Sequence, residues 1–106
     1  MSTERALAYL RDKGYEDRVI TSDESTGTVA EAASALGVTE GEIAKSLTFR
    51  GKEGEAILIV VAGDKRIDNS KFKATFHTKA KMLKPDEVAE EIGHEIGGVT
   101  PFGAKE

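Results

Sequence analysis

Apolar residues recur at helical spacing from the start of the chain. Ala6, Leu7 and Leu10 share one face, Ser2 or Thr3 can cap the first turn, and Gly14 can end the helix. Arg18-Val19-Ile20-Thr21 is short and β-branched and predicts a strand. Residues 22–27 are polar, end in glycine and predict a loop. Thr28-Val29-Ala30-Glu31 has the form of a capping box, in which a hydroxyl and a carboxylate satisfy reciprocal backbone N–H groups. The helix it opens runs through Ala33 and Leu36 to a stop at Gly37. A second box, Thr39-Glu40-Gly41-Glu42, predicts one more helical turn ending near Lys45.

The pattern then changes period. Ser46-Leu47-Thr48-Phe49-Arg50 alternates polar and apolar, as a half-buried strand does. Gly51-Lys52-Glu53-Gly54 predicts a turn, and the run Ala56–Ala62 is apolar on both faces. Such a run predicts a central strand covered on both sides, paired with its predecessor as a hairpin. Asp68 can cap a helix through Lys71, Phe72 and Phe76, residues 79–83 read as a short strand, and Pro85 opens a helix that stops at Gly93. An irregular tail follows. The order predicts one α+β domain over residues 1–106, a mixed and mostly antiparallel sheet with packed helices.

Length and composition agree with a single modest core: 106 residues, 39% apolar and 32% charged. No apolar run reaches the roughly 18 residues of a membrane span, and the N-terminus lacks the pattern of a secretory signal, so a cytoplasmic location is expected. The absence of cysteine removes disulfides, thiolate nucleophiles and thiolate zinc sites. With only His77 and His94, far apart in sequence, a metal site is not expected. Chemistry must rest on Lys, Ser, Thr, carboxylates and backbone amides.

Charge is unevenly spread. Residues 65–84 hold Lys65, Arg66, Lys71, Lys73, Lys79, Lys81 and Lys84 against Asp68, a net +6 in a chain of net −4, so the remainder carries −10. The segment reads either as a solvated, solubilising face or as a patch that steers a polyanion onto one side of the domain.

Two places could carry chemistry. Lys45 lies between a capped turn and a strand, flanked by apolar residues, where an ammonium can point into a pocket and polarise a carbonyl or hold a hydroxyl. Its spacing fits an ordinary surface lysine as well. In Gly97-Gly98-Val99-Thr100-Pro101-Phe102-Gly103 the paired glycines leave backbone N–H groups unshielded, Pro101 stiffens the loop, and Phe102 offers a face for a base or side chain. A glycine-rich tail without fixed shape fits the same residues.

The motifs taken together carry a resemblance. Ile-Ala-Lys-Ser-Leu-Thr-Phe at 43–49, Val-Ala-Gly-Asp-Lys-Arg-Ile-Asp at 61–68 and the glycine loop at 97–103 resemble, in order and spacing, the YbaK/EbsC family of aminoacyl-tRNA deacylases. The resemblance covers nearly the whole chain. It implies hydrolysis of the ester between a mischarged amino acid, cysteine, alanine or another small residue, and tRNA, typically tRNA for proline. It implies a catalytic Lys45, a substrate pocket lined by Ser46, contacts from Gly97 and Gly98 to the terminal nucleotide and ester, and Val99 and Thr100 as further substrate-binding residues. No cofactor is implied. Lys65, Arg66, Lys71, Lys73, Lys79 and Lys81 would then face the acceptor stem through sequence-independent phosphate contacts.

Family members continue past the loop with further strands and a helix, whereas here Ala104-Lys105-Glu106 follows. The expectation is a C-terminally short editing domain with an exposed sheet edge, prone to pairing as a homodimer. His94 stands where the family commonly has an aromatic residue and is read as a packing residue. Two other functions stand beside the deacylase: a non-catalytic module binding tRNA or prolyl-tRNA synthetase, and a general binder of double-stranded nucleic acid.

Overall fold

An antiparallel hairpin organises the domain. In the computed structural model, which describes residues 2–20, 28–94 and 99–105, β1 (Ala44–Arg50) pairs with β2 (Ala56–Ala62) in a register running from Ala44 opposite Ala62 to Arg50 opposite Ala56. The turn closes as predicted: the Gly51 amide donates to the Glu55 carbonyl at 2.7 Å, and that of Gly54 to Gly51 at 3.1 Å. Period-two geometry sorts the strands into two faces. One carries Ser46, Thr48, Arg50, Ala56 and Leu58; the other carries Lys45, Leu47, Phe49, Ile57 and Val61.

Each face meets different elements. α3 (Asn69–Phe76) starts where Asp68 Oδ1 accepts from the Lys71 amide at 2.9 Å, and lays Phe72 against Phe49 with ring centroids 4.9 Å apart. Both rings are buried. On the opposite face Leu83, Val88 and Ile92 form a core cluster, against which Ala56, Leu58, Val99 and Ala104 pack. Val88 and Ile92 come from a π-helical turn (Val88–Ile92) that continues α4 (Pro85–Glu87). Gly93 ends it, as the sequence predicts.

α2 (Val29–Leu36) begins with the Thr28 hydroxyl accepting from the Glu31 amide at 3.1 Å and stops at Gly37. The second predicted box is also present around the 3-10 turn Glu40–Glu42: the Thr39 amide donates to Glu42 Oε1 at 3.0 Å. That N–H holds the Glu42 carboxyl below its ordinary value. α1 (Ser2–Asp12) precedes a 3-10 turn at Glu16–Arg18.

Three expectations change. Residues 18–20 form part of that 3-10 turn and an unpaired extended stretch; Thr21 and the loop 22–27 lie outside the described residues. The predicted strand at 79–83 is reduced to one bridge, Met82 opposite Phe49. Finally, β1 rather than β2 is the inner strand. The Arg50 amide donates to Lys81 and the Leu83 amide to Thr48, so both edges of β1 are occupied. Among the described residues β2 has β1 as its one strand partner, and Val60 is 49% exposed. An unbroken apolar run reports that both faces touch other atoms; it does not report which edge is paired.

One polar clamp ties the hairpin to α4. Arg50 reaches across its strand end to Glu91, with two contacts of 2.5 and 2.6 Å, to Glu87 at 2.7 Å and to the Gly54 carbonyl at 2.9 Å. The double contact with Glu91 is the planar fork that suits a guanidinium. The guanidinium hydrogen bonds hold the Glu91 carboxyl below its ordinary value of 4.5. The Glu87 carboxyl is also held below its ordinary value, chiefly by the Lys84 backbone N–H, with Arg50 adding to it against the opposing effect of burial.

Two measurements test this account. Phe72→Ala should lower unfolding free energy by about 3–5 kcal/mol in urea titration, the usual cost of deleting a buried ring. Depressed carboxylate pKa values stabilise the fold fully above 4.5, and that stabilisation is lost as pH falls below it through the folded-state values. Thermal melts between about pH 7 and about pH 3 should therefore fall more steeply for the wild type than for Arg50→Met, which starts lower at neutral pH.

Candidate functional site at the end of the hairpin

Lys45 is the second residue of β1, opposite Val61 near the end of β2. It is half-buried, and its ammonium donates to the Gly63 carbonyl at 3.4 Å. An ammonium has three donors, so this long contact orients the group and leaves two N–H bonds for a ligand. The chain folds this way because Gly63 is wedged where three segments converge. Its amide donates to the Ile43 carbonyl at 2.6 Å. A Cβ on it would strike the Glu40 carbonyl oxygen and lie 2.6 Å from Val29 Cγ1 and 3.0 Å from the Ile43 carbonyl oxygen. Only a residue without a side chain lets β2 leave the sheet so close to α2 and the 3-10 turn, and that approach puts a carbonyl under Lys45.

Ser46 is half-buried and points to the face opposite Lys45, the face on which Val99 packs through the Leu83, Val88 and Ile92 cluster. Thr100 is half-buried, and its Oγ1 accepts from the Phe102 amide at 3.4 Å. Gly97 and Gly98 lie outside the described residues, and with them the predicted meeting of the paired glycines with Lys45. The far end of the loop is firmly tied. His94 is buried, with 1% of its surface exposed, and its Nε2 lies 2.9 Å from the Phe102 carbonyl. Since a carbonyl only accepts, this ring nitrogen carries the proton. Nδ1 is buried and without a partner among the described residues. The Lys105 amide and ammonium bind the Ile92 and Glu90 carbonyls, each at 2.8 Å.

The six predicted tRNA-facing cations, Lys65, Arg66, Lys71, Lys73, Lys79 and Lys81, are all exposed. Among the described residues none of their side chains joins a salt bridge. Lys73 and Lys79 share a shallow cavity of about 340 Å³ with Asn69, Ser70 and Ala80. Among the described residues no group of three or more His, Asp and Glu is placed to hold a metal ion, and no helix is long and apolar enough to cross a membrane.

The hairpin thus carries a lysine at one end and lies beside a buried cluster against which Val99 and Ala104 pack. The profile of the aminoacyl-tRNA editing domain matches residues 23–106, and the chain belongs to that family. An uncharacterised Bacillus subtilis protein, YwhH, is 48% identical over 103 residues; the match takes in 97% of this chain and 66% of YwhH. A proline–tRNA ligase of Kosmotoga olearia is 39% identical over 93 residues, 83% of this chain but 16% of the ligase. Among solved structures, one reported as "Crystal structure of a putative trans-editing enzyme for prolyl tRNA synthetase" superposes with a TM-score of 0.85 at 37% identity, over 99% of this chain and 67% of that one. The chain therefore spans about two thirds of the length of YwhH.

Sequence reasoning singled out Lys45 but not the part of Gly63, whose local signal is one glycine directly after an apolar strand. Gly63→Ala should destabilise the fold by about 1–3 kcal/mol, the usual cost of forcing a methyl into a packed site. Gly41→Ala is the control. Its added carbon would meet the exposed carboxylate of Asp64, which can swing away, so its change should stay within about 0.5 kcal/mol. Chemical denaturation of both variants checks the difference.

Proposed function

We propose that this domain hydrolyses the ester of a mischarged aminoacyl-tRNA, a tRNA for proline carrying cysteine, alanine or another small residue, acting separately from the synthetase. The carrying observation is the half-buried Lys45 ammonium, which rests on one long contact to the Gly63 carbonyl. Membership in the editing-domain family and similarity to segments of proline–tRNA ligases support the substrate class.

The chemistry asks little of the protein. An aminoacyl ester is already activated, so a water oxygen adds to its carbonyl carbon and the bond to the ribose oxygen breaks. The proton released by water ends on that ribose oxygen, with the vicinal hydroxyl as a near relay. The protein must orient the ester and stabilise the negative charge that develops on the carbonyl oxygen. Lys45 supplies charge and donors for that oxygen or for the ribose, and the N–H groups of the loop containing Gly97 and Gly98 supply the rest. A well-aimed donor of this kind contributes about 3 kcal/mol to the transition state. Ser46, with Val99 and Thr100, lines the amino-acid side of the pocket. The exposed cations from Lys65 to Lys81 hold the acceptor stem through its phosphates.

Deacylation of Cys-, Ala- and Ser-charged tRNA for proline is the test. Wild-type protein should release at least one of the three amino acids, and Lys45→Ala should lower the single-turnover rate by about 100- to 1,000-fold. Tight binding with no release of any of them would replace the enzyme by a tRNA-binding module of the same fold. Lys73→Ala and Lys79→Ala should each flatten the dependence of log affinity on log salt by about one unit without changing which amino acid is removed. DNA competing as well as tRNA would instead favour a general nucleic-acid binder.

A further inference from the structure

We propose that Tyr9 of α1 and Phe102 of the glycine loop form a stacking platform for an unpaired base at the single-stranded 3′ end of the tRNA. The inference rests on the tRNA reading above and adds Tyr9, which lies outside the residues 23–106 that the editing-domain profile matches.

The two rings come from opposite ends of the sequence, with centroids 6.1 Å apart and planes inclined by 35°. Neither is buried by the contact: Tyr9 remains 41% exposed and Phe102 45%. The backbone beneath them is held from several directions. Arg5 Nε donates to the Gly103 carbonyl, and a Cβ on Gly103 would lie 2.7 Å from the Arg5 carbonyl oxygen, so α1 sits directly on the turn. His94 holds the Phe102 carbonyl from the other side. The backbone that carries the rings is thus held while much of the rings' surface stays open to solvent.

Position and charge name the occupant. Phe102 lies two residues beyond Thr100, at the flank of the loop assigned to the reacting ester. The nucleotides next to that ester are unpaired and expose the flat faces of their bases, and aromatic side chains bind such bases largely irrespective of sequence. The Lys13 ammonium sits 5.7 Å from the centre of the Tyr9 ring, close enough to serve the phosphate joined to a base stacked there. An apolar protein partner would have no use for that cation. The 3′ end of a tRNA supplies both a ring to stack and a phosphate to pair.

Binding of uncharged tRNA for proline tests the platform independently of hydrolysis. Tm values of all variants are measured first, so that a folding defect is recognised. Wild-type protein should bind tRNA with an intact 3′ end more tightly than tRNA trimmed of its unpaired 3′ nucleotides. Tyr9→Leu and Phe102→Leu should each weaken binding of the intact form by about 5- to 100-fold and leave the trimmed form unchanged. Tyr9→Phe should retain wild-type affinity, and 2-aminopurine at the 3′-terminal position should be quenched by wild type and by Tyr9→Phe but not by Tyr9→Leu. Equal wild-type affinity for intact and trimmed tRNA overturns the platform while leaving the phosphate contacts standing. Equal binding of intact tRNA by folded Tyr9→Leu and wild type overturns it as well. No binding of either tRNA removes both the platform and the tRNA reading, whereas binding that follows the expected pattern without any deacylation upholds the platform and removes only the enzyme.

Discussion

The close approach of main chains at Gly63 is the constraint on which the candidate site depends. There the end of β2, the start of β1, α2 and the 3-10 turn at Glu40–Glu42 share a space too small for a methyl group. The Gly63 amide is spent on the Ile43 carbonyl and its own carbonyl faces Lys45. A lysine at this place would otherwise extend into water, where its charge is best solvated. Among the described residues no carboxylate pairs with it, and backbone packing keeps it half-buried. For the proposed catalytic role that matters: a carboxylate partner would quench the field of the ammonium, while one long carbonyl contact orients it and, among the described residues, leaves it without a carboxylate partner.

The opposite end of the hairpin follows a contrasting logic. Arg50 is fully engaged by Glu87, Glu91 and the Gly54 carbonyl, so its charge holds α4 and the π-helical turn on the sheet and is unavailable to a ligand. Those elements carry Val88 and Ile92, against which Val99 packs. The same turn is tied to the C-terminal segment through Lys105. The positions of Val99 and Lys105 are therefore set by a salt-bridged clamp at the end of β1 opposite Lys45. The two positive groups on β1 divide the labour by the partners that packing gives them.

What the sequence made legible were interactions closing within a few residues. Thr28, Thr39 and Asp68 each bind a group three residues on, and the hairpin announced itself through alternation, a glycine turn and an apolar run. The centre of the sheet was misread because hydrophobicity records burial of side chains and is silent on edge hydrogen bonds, which here go to Lys81 and Thr48. Long-range partners were invisible for the same reason. Nothing near Arg5 specifies Gly103, nothing near Tyr9 specifies Phe102, and Arg50 carries no local mark of Glu91. Lys45 was singled out by its place between a capped turn and a strand, and Ser46 through resemblance of whole motifs; their surroundings, above all the steric demand at Gly63, required the fold. The paired glycines are the remaining part of the motif, and they fall outside the described residues.

The alternation of a β-strand constrains how the two motif residues can work together. Lys45 and Ser46 are neighbours in sequence, yet their side chains leave β1 on opposite faces. No ligand lying flat on one face of the sheet can touch both. A ligand placed across the end of the hairpin can, because there β1 has just emerged from the 3-10 turn and β2 is about to leave the sheet at Gly63. Such a ligand would set its reacting oxygen against the ammonium on the α3 side and its small side chain against Ser46 and Val99 on the other. An ester joining a bulky nucleotide to a compact amino acid has that two-sided shape. Under the proposed function, the alternation of the strand would separate the chemistry from the discrimination, and a substitution at Ser46 would alter the amino acid accepted without moving the charge that Lys45 provides.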